Sequence, residues 1–250
     1  MVALALVSAI SVSGFEGSVP LVFGRTDRSS DSAAGLWDAT VADRALEAGF
    51  YSIAEGLYRD VLADARIPVE QRGRLNLNLI TALIGQGKIN QASDALEIFE
   101  GPRDARYFLR LAMVAIERGD FDAVSRNLRL VEPESLPEED AGWFYFMQAL
   151  AFENRGDSRR AEAAFEDAIA AAVSGAQLAQ FRAGQLRLRI ISGEATEALA
   201  GELKRQVDEF QGRRLGFQFV QQYAVVLDRL GRSDEAIDFL RRNAELIPAE

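Results

Sequence analysis

Cysteine and histidine are both missing from this chain of 250 residues. Their absence removes Ser-His-Asp and Cys-His nucleophilic sites, imidazole and thiolate metal sites, and disulfides together. Lysine is nearly missing too: Lys88 sits beside a turn signal and Lys204 in a charged segment, so a buried, activated amine is not expected. No P-loop or dinucleotide fingerprint occurs. Proline is scarce, at six residues, which suits helices that carry it only at their starts, where Pro68 and Pro137 fall. Positive charge is in deficit, with a net charge of −10, and that opposes binding to phosphate backbones and anionic membrane surfaces. These absences argue against an enzyme, a cofactor, a metal and a nucleic-acid partner.

What is present is a small-residue clock. Gly49, Gly87, Gly119, Gly156, Gly193 and Gly231 recur at intervals of 38, 32, 37, 37 and 38 residues, and each is followed five places later by Ala54, Ala92, Val124, Ala161, Ala198 or Ala236. Periods of this length mean stacked helix pairs, none of which buries its own apolar face alone. The glycine marks a helix end that needs a left-handed residue. The small residue then lets two antiparallel helices approach. Large apolar residues nine and twelve places after the glycine supply the buried face: Tyr58 and Val61, Leu96 and Phe99, Leu128 and Val131, Phe165 with Ala168.

The stretches Gly49-Phe50-Tyr51-Ser52-Ile53-Ala54-Glu55-Gly56-Leu57-Tyr58 and Gly156-Asp157-Ser158-Arg159-Arg160-Ala161-Glu162-Ala163-Ala164-Phe165 carry a resemblance. So do the turns at Gly119-Asp120-Phe121 and Gly231-Arg232-Ser233. The pattern resembles the tetratricopeptide repeat family. The resemblance covers the chain from about Leu36 onward, and implies an all-α fold: a right-handed α-α superhelix of about six helix pairs. It further implies a protein- or peptide-binding scaffold whose first helices line a groove. In the fifth pair Glu202 and Arg205 fall at the usual apolar places. A shifted stripe, Leu199, Leu203, Val207 and Phe210, does the burying there instead, so local irregularity is expected.

Candidate groove residues follow from this phasing. Inner positions of the first helices give Leu77 and Ile84, Leu109 and Met113, then Trp143, Phe146 and Leu150. Trp143-Phe144-Tyr145-Phe146 spans most of a helix circumference. Two readings stand: the four aromatics fill the interface between neighbouring helix pairs, or one of them anchors a peptide or amphipathic helix. One branch of the resembled family clamps a peptide's terminal carboxylate. Matching its pattern places Asn78, Arg106 and Arg110 at the second- and third-repeat positions, but Ala39 and Asp43 stand where lysine and asparagine belong. An aspartate there would repel a ligand carboxylate.

The remaining features read as ordinary helix chemistry. Arg182, Arg187 and Arg189 are interrupted by apolar residues and read as solvated positions. Glu132, Glu134, Glu138, Glu139 and Asp140 lack calcium-loop spacing and read as hydrated acids complementing a helix start. Ser135-Leu136-Pro137-Glu138 has the form of a capping box.

Residues 1–14 form an apolar segment of signal-peptide length, with candidate cleavage after Ala9 or Gly14, too short to span a bilayer. Residues 15–35 follow as an extended apolar stretch and polar linker, and residues 36–250 as the repeat array. The expected location is periplasmic or secreted, with cytoplasmic as the alternative, because no basic residue precedes the apolar stretch. A last helix from about Asp234 to Leu246 presents Ala236, Ile237, Leu240 and Leu246 without a capping helix, a face open to a homodimer. The functional expectation is a non-enzymatic adaptor holding a protein or peptide in a bacterial envelope assembly. The alternatives are a helical accessory domain of a larger envelope enzyme resembling lytic transglycosylases, or a structural spacer.

Overall fold

The computed structural model describes residues 32–211 and 214–244. The apolar segment 1–14, residues 15–31 of the linker region, Leu246 and Pro248 lie outside the described residues. Twelve α-helices run in sequence: α1 (Ser32–Glu47), α2 (Tyr51–Leu62), α3 (Val69–Gly85), α4 (Ile89–Glu97), α5 (Ala105–Glu117), α6 (Phe121–Leu128), α7 (Glu138–Asn154), α8 (Ser158–Ala170), α9 (Gly175–Ile191), α10 (Glu197–Glu209), α11 (Arg214–Arg229) and α12 (Ser233–Arg242). A single 3-10 turn, Pro133–Ser135, precedes α7, and no strand occurs among the described residues. The expected six helix pairs are therefore present.

Every clock glycine ends the first helix of its pair in a left-handed conformation, with φ between 70° at Gly119 and 97° at Gly193. The backbone explains the choice. At the first pair the Gly49 amide donates to Leu46 O at 3.0 Å and the Phe50 amide to Ala45 O at 2.8 Å. These two bonds satisfy carbonyls that the helix itself leaves open, and they require the residue between to have positive φ. The same two bonds recur at Gly87, Gly119, Gly156, Gly193 and Gly231.

The helices gather into two compact units, one ending at Asp120 and the other beginning at Phe121. In the first, α2 packs on both α1 and α3, and α3 on α4 and α5. Its first core joins Ala42, Ala54, Tyr58, Val61, Leu75 and Ala82. In the second, α8 lies between α7 and α9, while α11 packs on α9, α10 and α12. One of its apolar clusters runs from Ala179 to Phe239.

The expected apolar register holds for most pairs: Tyr58, Val61, Leu96, Phe99, Leu128, Val131, Phe165 and Ala168 are all buried. The fifth pair corrects one member of the clock. Ala198 is exposed, and Ala200 is buried in its place. The other second helices begin two residues after their glycine; α10 begins at Glu197, four after Gly193. Thr196 caps it, accepting from the Leu199 amide at 3.1 Å. Two extra turn residues therefore shift the buried stripe to Leu199, Leu203, Val207 and Phe210, as the apolar spacing predicts.

Two further expectations are corrected. Ser135 does not cap α7: its hydroxyl donates to Glu132 O, and Pro137 is the N-cap. Leu136 precedes a proline and is held extended, at ψ 141°, so the helix cannot start before Pro137. Arg189 is not merely solvated. It donates to Glu194 in the long fifth turn at 2.7 Å and to Glu202 on α10 at 2.9 Å, fastening the irregular joint. At the last pair, Ala236 is buried, Leu240 is partly covered and Ile237 is exposed.

Candidate functional site

In the first unit the faces of α1, α3 and α5 carry a continuous polar network. Asp43 on α1 is its hub. One carboxylate oxygen accepts from the Tyr58 hydroxyl at 2.6 Å and from Asn78 Nδ2 at 3.0 Å; the other accepts from Arg74 at 2.8 Å. Asn78 in turn accepts, through Oδ1, from Arg106 on α5 at 3.0 Å. One turn along, Arg110 Nε donates to Thr81 Oγ1 at 3.1 Å, and that hydroxyl donates to Leu77 O at 2.9 Å. The residues sit at i, i+4 and i, i+7 spacing along α3 (Arg74, Asn78, Thr81) and at i, i+4 along α5 (Arg106, Arg110), so each helix presents one polar stripe to the next. Burial, and then the hydrogen bond to Asp43, push the Tyr58 phenol well above its ordinary range, so it stays a donor.

This arrangement decides what the expected clamp residues do. Asn78 and Arg110 are buried and Arg106 half-buried. Asn78 already holds a carboxylate, that of Asp43. A ligand carboxylate would have to displace a resident one of equal charge, against which Arg74 is paired. The hub partners Arg74 and Tyr58, and Thr81, which receives Arg110, hold no clamp position in the sequence, although the spacing of Arg74 four residues before Asn78 carries a readable signal.

The second unit contributes aromatic surface. Phe144 and Phe146 are buried, and Trp143 and Tyr145 are partly exposed. The Trp143 ring meets Phe146 and Phe181 edge to face, at centroid distances of 5.8 and 5.2 Å. Phe146 also packs on Phe165. Two helical glycines make room for this stack: a Cβ at Gly184 would lie 2.5 Å from the Phe165 ring, and one at Gly142 would lie 2.8 Å from Phe181. Beside it Arg187 on α9 pairs with Glu153 on α7 at 2.8 Å.

The other inner-stripe candidates are withdrawn from the surface. Leu109, Met113, Phe146 and Leu150 are buried, because adjacent helices cover that stripe from more than one side. Of the proposed groove residues, Trp143 and Arg106 keep accessible atoms. Among the described residues no group could hold a metal ion, and no helix is long and apolar enough to cross a membrane.

Family models described as tetratricopeptide repeat match residues 146–213 and 222–242. These stretches carry tetratricopeptide repeats. Solved structures similar to it include a tetratricopeptide repeat protein from Parabacteroides merdae, 12% identical, covering 87% of this chain and 82% of that one at a TM-score of 0.46. Tetratricopeptide-like repeats described with a kinesin light chain of Podosopora anserina are 14% identical, covering 87% of this chain and 97% of that one at a TM-score of 0.37. No curated protein matches the sequence. Tetratricopeptide repeats are in general non-catalytic scaffolds that bind protein partners, and the matched residues extend from Phe146 in the aromatic stack to Arg242, the last residue of α12.

Proposed function

We propose that this protein is an adaptor that holds an apolar or amphipathic peptide segment of a partner against α7, in an envelope assembly outside the cytoplasm. The observation that carries the reading is Trp143, a partly exposed indole seated edge to face on Phe146 and Phe181. Large aromatic side chains with one face supported and one face wet are typical binding anchors, because they lose little conformational freedom on contact. A peptide recognised chiefly through a terminal carboxylate is disfavoured by the resident Asp43. Export is supported by the apolar residues 1–14.

The test is capture of partners from an envelope fraction by the immobilised wild-type chain and by Trp143→Ala. Loss of a specific bound protein with unchanged helicity and melting temperature is the expected result. Equal capture by both forms overturns the anchor. Phe146→Ala is unsuitable for this purpose, because truncating that buried ring costs about 3–5 kcal/mol of stability.

A further inference from the structure

The places one and four residues after each clock glycine are where the chain enters a second helix, and in every pair they are exposed or partly exposed. In the later five pairs they hold Lys88 and Gln91, Asp120 and Ala123, Asp157 and Arg160, Glu194 and Glu197, and Arg232 and Glu235. In the first pair the same places hold Phe50 and Ile53, which are 61% and 56% exposed. Single exposed apolar residues are ordinary. Two large ones replacing polar or small residues at a periodic surface position, three residues apart on one helix start, make a patch that is costly to leave wet, since removing apolar surface from water is favourable.

The chain carries a suitable cover close by in sequence. Phe15-Glu16-Gly17-Ser18-Val19-Pro20-Leu21-Val22-Phe23 has six apolar residues and one charge, and the polar stretch from Gly24 to Asp31 joins it to α1. Those eight linker residues reach about 26–29 Å when extended. Phe50 lies just past the far end of α1, a helix of 16 residues, hence about 24 Å long. The tether therefore spans the distance, and it holds the segment at an effective concentration in the millimolar range. A second copy of the chain has no such advantage and brings its own charge of −10.

We propose that residues 15–23 fold back over Phe50 and Ile53 and cap the first helix pair. The lack of native cysteine makes the test direct. Leu21→Cys is combined with Gly56→Cys, a position on α2 where an added Cβ meets nothing within 4 Å, or with Gly201→Cys on α10, which is equally open. Under mild oxidation of the dilute full-length chain, the expected result is a rapid intramolecular disulfide with position 56, slowed about tenfold by Phe50→Asp with Ile53→Asp as the effective concentration falls. The rate at position 201 is expected not to respond to Phe50→Asp with Ile53→Asp. Because the aspartates alter a helix start, Val22→Asp with Phe23→Asp, which leaves every helix intact, is expected to slow the same bond. A rate at position 56 that neither pair of aspartates changes overturns the cap. Disulfide-linked dimers in place of the internal bond also overturn it, and assign the patch to a second copy.

Discussion

Asp43 accepts from three donors, Tyr58 on α2 and both Arg74 and Asn78 on α3, so its loss strands all of them. Asp43→Ala is expected to lower unfolding free energy by about 1–3 kcal/mol, the cost of leaving partly buried donors unpaired, as read by urea denaturation. Millimolar formate should restore part of that loss by entering the vacated place; an absence of rescue would mean that the donors turn to water instead. Glu55 offers a pH test. Its carboxylate is buried and pairs with Lys88 at 2.7 Å and Arg59 at 2.6 Å. Burial alone would raise its pKa, but hydrogen bonds from Lys88 and Gln86 and the Arg59 charge outweigh it and hold the group below the ordinary carboxylate range. The folded value thus lies below the unfolded one. Its contribution is complete above the unfolded pKa of about 4.3 and is lost as pH falls through the folded value. Glu55→Gln is expected to lower stability at pH 7 and to flatten the loss between neutral and acid pH, measured by denaturant midpoints along a pH series.

At the scale of elements, the glycines divide into kinds that a single substitution separates. Gly156 has φ 74° with open space around a Cβ, so Gly156→Ala should cost about 1–2 kcal/mol through the left-handed backbone alone. Gly201 lies inside α10 with equally open space, and Gly201→Ala should stabilise by about 0.5–1 kcal/mol. Gly184→Ala is expected to destabilise despite better helix propensity, because the new methyl meets the Phe165 and Phe146 rings. Thermal melts of the three variants rank them. The same elements mark how far the sequence could be read. Turns and buried stripes were legible because glycine at a left-handed helix end and apolar spacing are local signals. The late start of α10 was half legible: the shifted stripe from Leu199 was readable, while the cap at Thr196 was overlooked and Ala198 was kept in the clock. Arg189 fastening Glu194 to Glu202, and Asp43 occupying Asn78, depend on distances between helices, which no local pattern encodes. Apolar spacing marks the inner stripe as a covered face without saying what covers it, and Leu109, Met113, Phe146 and Leu150 are buried within the chain itself.

At the scale of the whole molecule, stability in stacked repeats is nearly a sum of each repeat and its neighbours. Phe165 on α8 is fully buried, and α8 packs between α7 and α9. Phe165→Ala is expected to cost about 3–5 kcal/mol, and hydrogen exchange should quicken first in α7, α8 and α9 while the amides of α1 to α3 keep their protection. Uniform acceleration over the whole chain would mean one cooperative body instead.

The long turn after Gly193 bears on how such a chain tolerates change. The two residues that the turn gains there alter the phase of α10, yet Gly231 stands 38 residues after Gly193, as Gly87 does after Gly49, and Ala236 is buried five places on. In a continuous coiled coil a two-residue shift of phase would rotate everything downstream. Here each left-handed glycine restarts the count, so a length error is confined to the repeat in which it arose.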